Sequence, residues 1–586
     1  MNTQAIGLLN KLTLSIASLS LALAATLTAA APLSSIDPGR VRVPDEEGLR
    51  NDTNQMPGSL QLPASEIVAE PPPLIVTPKA PSLPASDTPF AVRKVRLEGV
   101  KSYPENTFTP LLQSLEGRQV TLAEVQAVTE RITQRYRHDG YLLVRSYVPA
   151  QELNDGELVL RVVEGKVNKV TVSGASNRTL EGYAENIREE APLRGSTLER
   201  NLLLMNDLSG NETRGVLSAS EGTEGSDLNL ENKQRRWEGF FGFDNRDSRY
   251  YGPWQVYGGV GLNDPFGIGD HLALRLGRSV EGDKLAFYEG QYEMPVGRDG
   301  TVLSLLAQHN DGNADTLDFL NANSSGDTLA ARITHPWIRS RNETFKTSLA
   351  FTWFNGESEY LDDPDLPPSS EDHIRALRLG ASWDFSDKHG GRNLLKGELS
   401  QGLDVLGASS EKRLNTSRLE GQTDFTKLQV DAQRIQDLDW LSENLKLYLA
   451  VTGQTSFGDP LLSPEQFGVG GSEFGRGYDP SEIAGDSGLA GKVELQYNTV
   501  HSIKDHAVPT QYYGYWDVGR VWNEQPRALA SESLASAGFG AHLQVAKDMF
   551  VSPEVAFPLT RTVQAEELDD KNGKEPRFYL NFLKLF

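Results

Sequence analysis

The chain has 586 residues, 80 of them acidic and 57 basic, a formal net charge of −23 and no cysteine. That balance gives no bulk electrostatic reason to bind nucleic acid, whose backbone demands clustered Lys and Arg. The missing cysteines exclude structural disulfides and thiolate metal sites. The length is that of roughly four ordinary domains, or fewer where one of them is a large barrel.

Residues 1–31 read as a secretory signal peptide: Lys11, an apolar run from Leu12 to Thr28, then Ala29-Ala30-Ala31 before Pro32. No later stretch reaches ~18 continuous apolar residues, so a mature chain embedded in a membrane would cross it as a closed barrel. Residues 32–89 have no sustained hydrophobic period and culminate in Pro71-Pro72-Pro73, Pro78, Pro81 and Pro84. They read as a semi-rigid linker, with a short helix before the prolines as a candidate plug.

Residues 90–166 form a first α+β module. Phe90, Val92, Val95 and Leu97 open it as a strand that ends at Gly99. Thr121-Leu122-Ala123-Glu124 is a capping box. The helix that follows carries Leu122, Val125, Val128, Thr129, Ile132 and Tyr136 on one face and stops at Gly140. Strands are expected over Tyr141–Val148 and Glu157–Val163, on either side of the Asn154-Asp155-Gly156 turn. Residues 167–233 repeat the plan more weakly. A strand over Lys169–Val172 precedes helices carrying Leu180, Tyr183 and Ile187, then Leu198, Leu202 and Met205, and short β pieces follow.

From about Arg235 period two replaces the helical period. Val256, Gly258, Val260 and Leu262 alternate with Gln255, Tyr257, Gly259 and Gly261; Leu272, Leu274 and Leu276 alternate with His271, Ala273 and Arg275. Apolar-out, polar-in segments divided by polar turns are the signature of a transmembrane antiparallel β-barrel, and residues 234–586 have room for about sixteen strands. The chain ends on an aromatic strand, Phe578 to Phe586. Within the barrel, residues 468–491 read as a glycine-rich loop between strands, with Arg476 held between Gly475 and Gly477 and followed by Tyr478. A Walker loop is excluded because no Gly-Lys-Ser/Thr opens a helix there.

These features together resemble the outer-membrane transporters of two-partner secretion, the haemolysin-activator and filamentous-haemagglutinin transporter type, within the BamA-like superfamily. The resemblance runs from Phe90 to Phe586. Gly140-Tyr141, Pro149-Ala150-Gln151 and Glu164-Gly165 match the family's first POTRA domain; Asn206-Asp207-Leu208 and Gly225-Ser226-Asp227-Leu228 match its second. Gly242-Phe243-Asp244-Asn245 looks like its first barrel strand, so Asp244 and Asn245 are carried over as the first-strand motif. Arg476, Gly477 and Tyr478 match its lumenal loop, with Gly475 in place of the usual valine, a change expected to loosen local packing. Tyr515-Trp516-Asp517 resembles the strand motif whose carboxylate meets the loop arginine, making Asp517 the implied barrel-wall partner of Arg476. Phe586 would mark the barrel-insertion terminus, although Lys584 stands where an apolar residue is commoner.

The resemblance implies a translocase for one large secreted exoprotein: an adhesin, a cytolysin or a contact-dependent toxin. Outer-membrane lipids and the barrel assembly machinery would be its other partners, with no nucleic acid and no cofactor. The rival readings are a barrel-assembly insertase, a diffusion porin and a surface adhesin. His271, His309, His335, His373 and His389 lack metal-ligand spacing, and Asp362, Asp363 and Asp365 lack the glycine and glutamate of a calcium loop. No Gly-x-Ser-x-Gly occurs, and no catalytic site or enzyme activity is expected.

Overall fold

The computed structural model describes residues 88–586 and the pair Ile75–Val76, apart from positions 105, 221–224, 250, 283, 315–321, 360–369, 410–414, 419, 504–505, 526–529 and 561–572. The signal-peptide and plug-helix expectations, most of the linker and the acidic triplet near 362 lie outside the described residues.

The first module is built on the helix Leu122–His138. Its capping box closes in both directions: Thr121 N–H donates to Glu124 Oε2 at 2.8 Å, and Glu124 N–H to Thr121 Oγ1 at 3.3 Å. Val125, Ile132 and Tyr136 pack against Val95, Leu158 and Leu160 of a sheet in which Glu157–Val163 lies between Lys94–Glu98 and Arg145–Tyr147. Two small elements had no clear sequence signal, a helix at Thr109–Gln113 and a strand at Arg118–Val120, because neither is long enough to show a period. The Glu164 carboxylate accepts from the N–H groups of Lys101 and Ser102, both at 2.8 Å, and from the Tyr136 hydroxyl at 2.7 Å. Partial burial opposes its ionisation, but the two N–H donors, the Tyr136 hydroxyl and the Ser102 hydroxyl together outweigh it and hold the carboxyl below its ordinary range.

The second module places helices Arg178–Glu189 and Gly195–Asn206 on a sheet that includes Val167–Gly174, Asn211–Ala219 and Ser226–Gln234. Its helices sit on the turns of the barrel. Arg339 makes a two-bond pair with Asp207 at 2.6 and 2.8 Å. Arg200 donates to the carbonyls of Asp299 at 3.0 Å and Pro336 at 2.6 Å. Thr179 donates to the carbonyl of Ile268 at 2.5 Å. One side of the barrel mouth, from turn 264–270 to turn 340–342, therefore carries the module.

Sixteen antiparallel strands then close into a barrel, from Trp237–Asp244 to Arg577–Leu585. The period-two reading fixes the faces: Leu274 and Leu276 are exposed on the outer wall, while Ala273 is buried inside. No described helix is long and apolar enough to cross a membrane, so any crossing is made by strands. Closure pairs the first strand with the last from Phe240↔Leu585 to Asp244↔Asn581. Lys584 directs its ammonium to the carbonyl of Lys547 at 3.2 Å, which explains how a lysine is tolerated in the closing strand.

Candidate functional site

The segment between the barrel strands Leu445–Thr455 and Ser487–Ile503 turns into the lumen. It starts earlier than the glycine pattern suggested and ends sooner, since Ser487 to Gly491 belong to the strand. Gly488 has a specific reason to be glycine: a Cβ there would lie 2.0 Å from the Phe467 ring, which packs in that space. Phe467–Val469 and Ile483–Gly485 form a small hairpin within the loop. Phe467, Val469, Tyr478 and Ile483 bury against Val521 and Leu534 of the wall. Between the hairpin arms the chain doubles back, with Gly470 N–H donating to the Phe474 carbonyl at 2.9 Å and Gly471 N–H to that of Tyr478 at 3.2 Å.

Arg476 emerges from this fold 6% exposed. Its Nε and Nη2 donate to the two oxygens of Asp517 at 3.0 and 2.9 Å, and its own backbone N–H adds a bond at 3.2 Å. Nη1 donates to Glu494 Oε2 at 2.6 Å. The guanidinium carbon lies 3.3 Å from the centre of the Tyr515 ring. One cation thus meets two buried carboxylates and an aromatic face, each worth more in a water-poor site than in solution. Gly477 lies against the wall, where a Cβ would stand 3.0 Å from Ser536 Cβ, and Tyr478 is 1% exposed with its hydroxyl accepting from Thr560 N–H at 3.2 Å. Gly475 does not loosen the packing as expected. It has φ +80°, and a Cβ would come within 2.6 Å of Leu534 Cδ1, so the site is tight and its backbone suits glycine.

Sequence reading missed most of the surrounding charges. Glu465 in the loop pairs with Arg378 at 2.6 Å and Lys427 at 2.7 Å on the wall. Asp479 pairs with Arg249 and, at 2.6 Å, with Arg577. Asp486, at the loop's end, binds Arg418 and accepts from Leu461 N–H at 2.8 Å. Glu554 accepts from the hydroxyls of Tyr513 at 2.6 Å and Tyr515 at 2.8 Å, and from Arg246 at 2.8 Å. For Glu494 the only available signal was its place on the polar face of an alternating strand, which gives a direction but no partner.

Asp244 and Asn245 lie away from Arg476, at the joint between first and last strands. Asp244 accepts from Gln255 at 3.0 Å and from Asn581 at 3.3 Å. The Asn245 amide donates to the Phe578 carbonyl at 2.8 Å and accepts from Leu580 N–H at 2.7 Å, taking the place of one more rung in the ladder. Phe586 is exposed, with its N–H donating to the Gly239 carbonyl at 2.8 Å. Among the described residues no group of three or more His, Asp or Glu is placed to hold a metal.

A sixteen-strand barrel with α+β modules at one mouth and a loop folded into its lumen defines an outer-membrane transporter-type barrel with its modules in the periplasm. The model of the haemolysin secretion/activation protein family ShlB/FhaC/HecB matches residues 224–543, and that of the ShlB-type POTRA domain matches residues 90–165. The chain belongs to that haemolysin secretion/activation family. The heme/hemopexin transporter protein HuxB of Haemophilus influenzae (strain 86-028NP) is 23% identical over 501 residues, covering 81% of this chain and 83% of that protein. The outer membrane transporter CdiB of Dickeya dadantii (strain 3937) is 23% identical over 414 residues, covering 70% of this chain and 72% of that protein. The structure of CdiB from Escherichia coli superposes with a TM-score of 0.69 at 20% identity, covering 88% of this chain and 94% of that one, a likeness of fold.

Proposed function

We propose that the protein is an outer-membrane translocase of two-partner secretion, which takes one large exoprotein from the periplasm through its barrel to the cell surface. The observation that carries this reading is the loop seated across the lumen on buried ion pairs, in a barrel that also carries periplasmic modules. A diffusion porin has no use for the modules. Residues 1–31 act as the export signal, residues 32–89 as the linker and candidate plug, and residues 90–166 and 167–233 as successive POTRA modules before the barrel of residues 234–586. The modules hold an extended client by adding it to an open sheet edge, where backbone hydrogen bonds give affinity and side-chain pockets give selectivity. Arg476 and Asp517 form the latch of a loop that moves aside during passage, with Gly477 and Tyr478 seating its tip. Asp244, Asn245 and Phe586 serve barrel closure and insertion by the assembly machinery. No catalytic chemistry is assigned, and the drive comes from folding of the client outside.

The test compares secreted and outer-membrane proteins with and without this chain. Loss of one very large exoprotein, with other barrels unchanged, is the expected result. A general fall in outer-membrane barrels would replace the reading with an insertase.

A further inference from the structure

The barrel's closing joint is its shortest. First and last strands share five registered pairs, Phe240↔Leu585 to Asp244↔Asn581, whereas the other junctions have eight or more. The ladder stops where the first strand ends at Asp244, although the last strand begins further on, at Arg577. Asn245 covers part of the gap through its side-chain amide. Beyond it, Asp479 of the lumenal loop holds one arginine from each side: Arg249, from the segment following the first strand, and Arg577, the first residue of the last strand. Asp479 is 6% exposed, so these bonds are shielded from competing water. Glu482 of the same loop reinforces the arrangement, accepting from Asp479 N–H at 3.1 Å and lying 3.5 Å from Arg249.

From this geometry we infer that Asp479 is a positioning residue that staples the closing joint from inside. The joint keeps its full strength only while the loop is seated. Seating the loop and sealing the barrel wall are then one linked equilibrium: whatever withdraws the loop also removes the bridge between first and last strands. The glutamate hub supports the link from a second direction. Arg476 stacks on Tyr515, whose hydroxyl binds Glu554, and Glu554 binds Arg246, two residues beyond the end of the first strand. The inference concerns the barrel alone and is independent of what passes through it.

The test is backbone hydrogen exchange on the purified full chain in lipid nanodiscs. Exchange is read at the joint (Phe240–Asp244 and Asn581–Leu585) and at a control junction, Gln255–Asn263 with His271–Ser279. Asp479→Asn should speed exchange at the joint roughly tenfold or more, leave the control unchanged, and be partly restored by Asp479→Glu. Arg476→Ala, which leaves Asp479 and both its arginines in place, should also speed exchange at the joint by releasing the loop. Should Asp479→Asn fail to fold, Arg249→Gln and Arg577→Gln each remove one arm and should each give a smaller acceleration. Three results would overturn the inference: joint exchange unchanged in the Asp479 or both arginine variants, an equal rise at the control junction, or a loop freed by Arg476→Ala without faster exchange at the joint.

Discussion

Replacing Arg476 by alanine removes the cation that two buried carboxylates share. Asp517 has 0% and Glu494 6% exposure, so neither regains full hydration when the guanidinium leaves. Breaking a buried pair by deleting one partner costs about 3–5 kcal/mol, and the lost contact with the Tyr515 face adds on the order of 2 kcal/mol. Part of this is recovered by water entering the vacated space, so a loss of about 3 kcal/mol from the seated state is the working value. The anchors at Glu465 and Asp486 persist, and the displacement is confined to the central part of the loop. The chain's lack of cysteine allows a clean reporter. Val469→Cys places a thiol at a position 1% exposed in the loop hairpin, accessible to a maleimide only when the hairpin lifts. Adding Arg476→Ala to that background should raise the labelling rate about 100-fold, as 3 kcal/mol implies, and lower secretion while the barrel still inserts. A rate within about threefold of the parent, in protein that keeps its folded mobility on unheated gels, would refute the assignment of Arg476 as the loop's principal tie.

Gly475→Val restores the residue usual in the resembled motif, yet it should destabilise this loop by about 1–3 kcal/mol through its positive φ and the collision with Leu534. Faster labelling of the same Val469→Cys reporter measures it. Because Glu164 has a lowered pKa when folded, its contribution is complete above the ordinary carboxyl range and is lost as pH falls through the lowered value. Protection from hydrogen exchange in the helix Leu122–His138, taken relative to the intrinsic rate at each pH, should therefore fall on acidification below about pH 4, and Glu164→Gln should flatten that dependence. Asp207→Ala removes the two-bond pair with Arg339, which is partly solvent-exposed, and should weaken module docking by about 1 kcal/mol. Spin-label distances between the helix Gly195–Asn206 and turn 297–300 should broaden, with a smaller difference from the parent at high salt.

The parts of the fold with a long period were legible. The capping box at Thr121 located a helix start, and alternation in His271–Ser279 gave both the strand and its faces. The loop arginine and Asp517 were paired through resemblance rather than spacing, since the residues are far apart in sequence and no local pattern joins them. Glu465, Asp479, Glu494 and Glu554 stayed hidden because a single acidic residue on a polar strand face or in a loop looks solvated until closure brings its cation across the barrel. Arg577 stands beside Phe578 and the closing strand, yet nothing nearby in sequence announces a partner in a loop about a hundred residues earlier. The helix pair of the second module was recovered from its apolar face, but its docking was not, because Arg200 binds backbone carbonyls that carry no residue signature.

That docking makes the periplasmic entrance lopsided. The second module is fastened to the early turns, by Thr179 near 264–270, Arg200 near 297–300 and Arg339 with Asp207, whereas turns 387–390 and 438–444 carry no such fastening among the described bonds. A polypeptide handed inward from the module has its free approach beside the later strands. Those strands supply Lys427, Glu494 and Asp517, three of the wall residues that grip the loop. On the proposed function, the incoming chain would meet the obstruction at some of its points of attachment, where a small sideways push acts directly on bonds. The entrance would then work like a key guide beside a bolt, with cargo arriving on the side where these three ties stand.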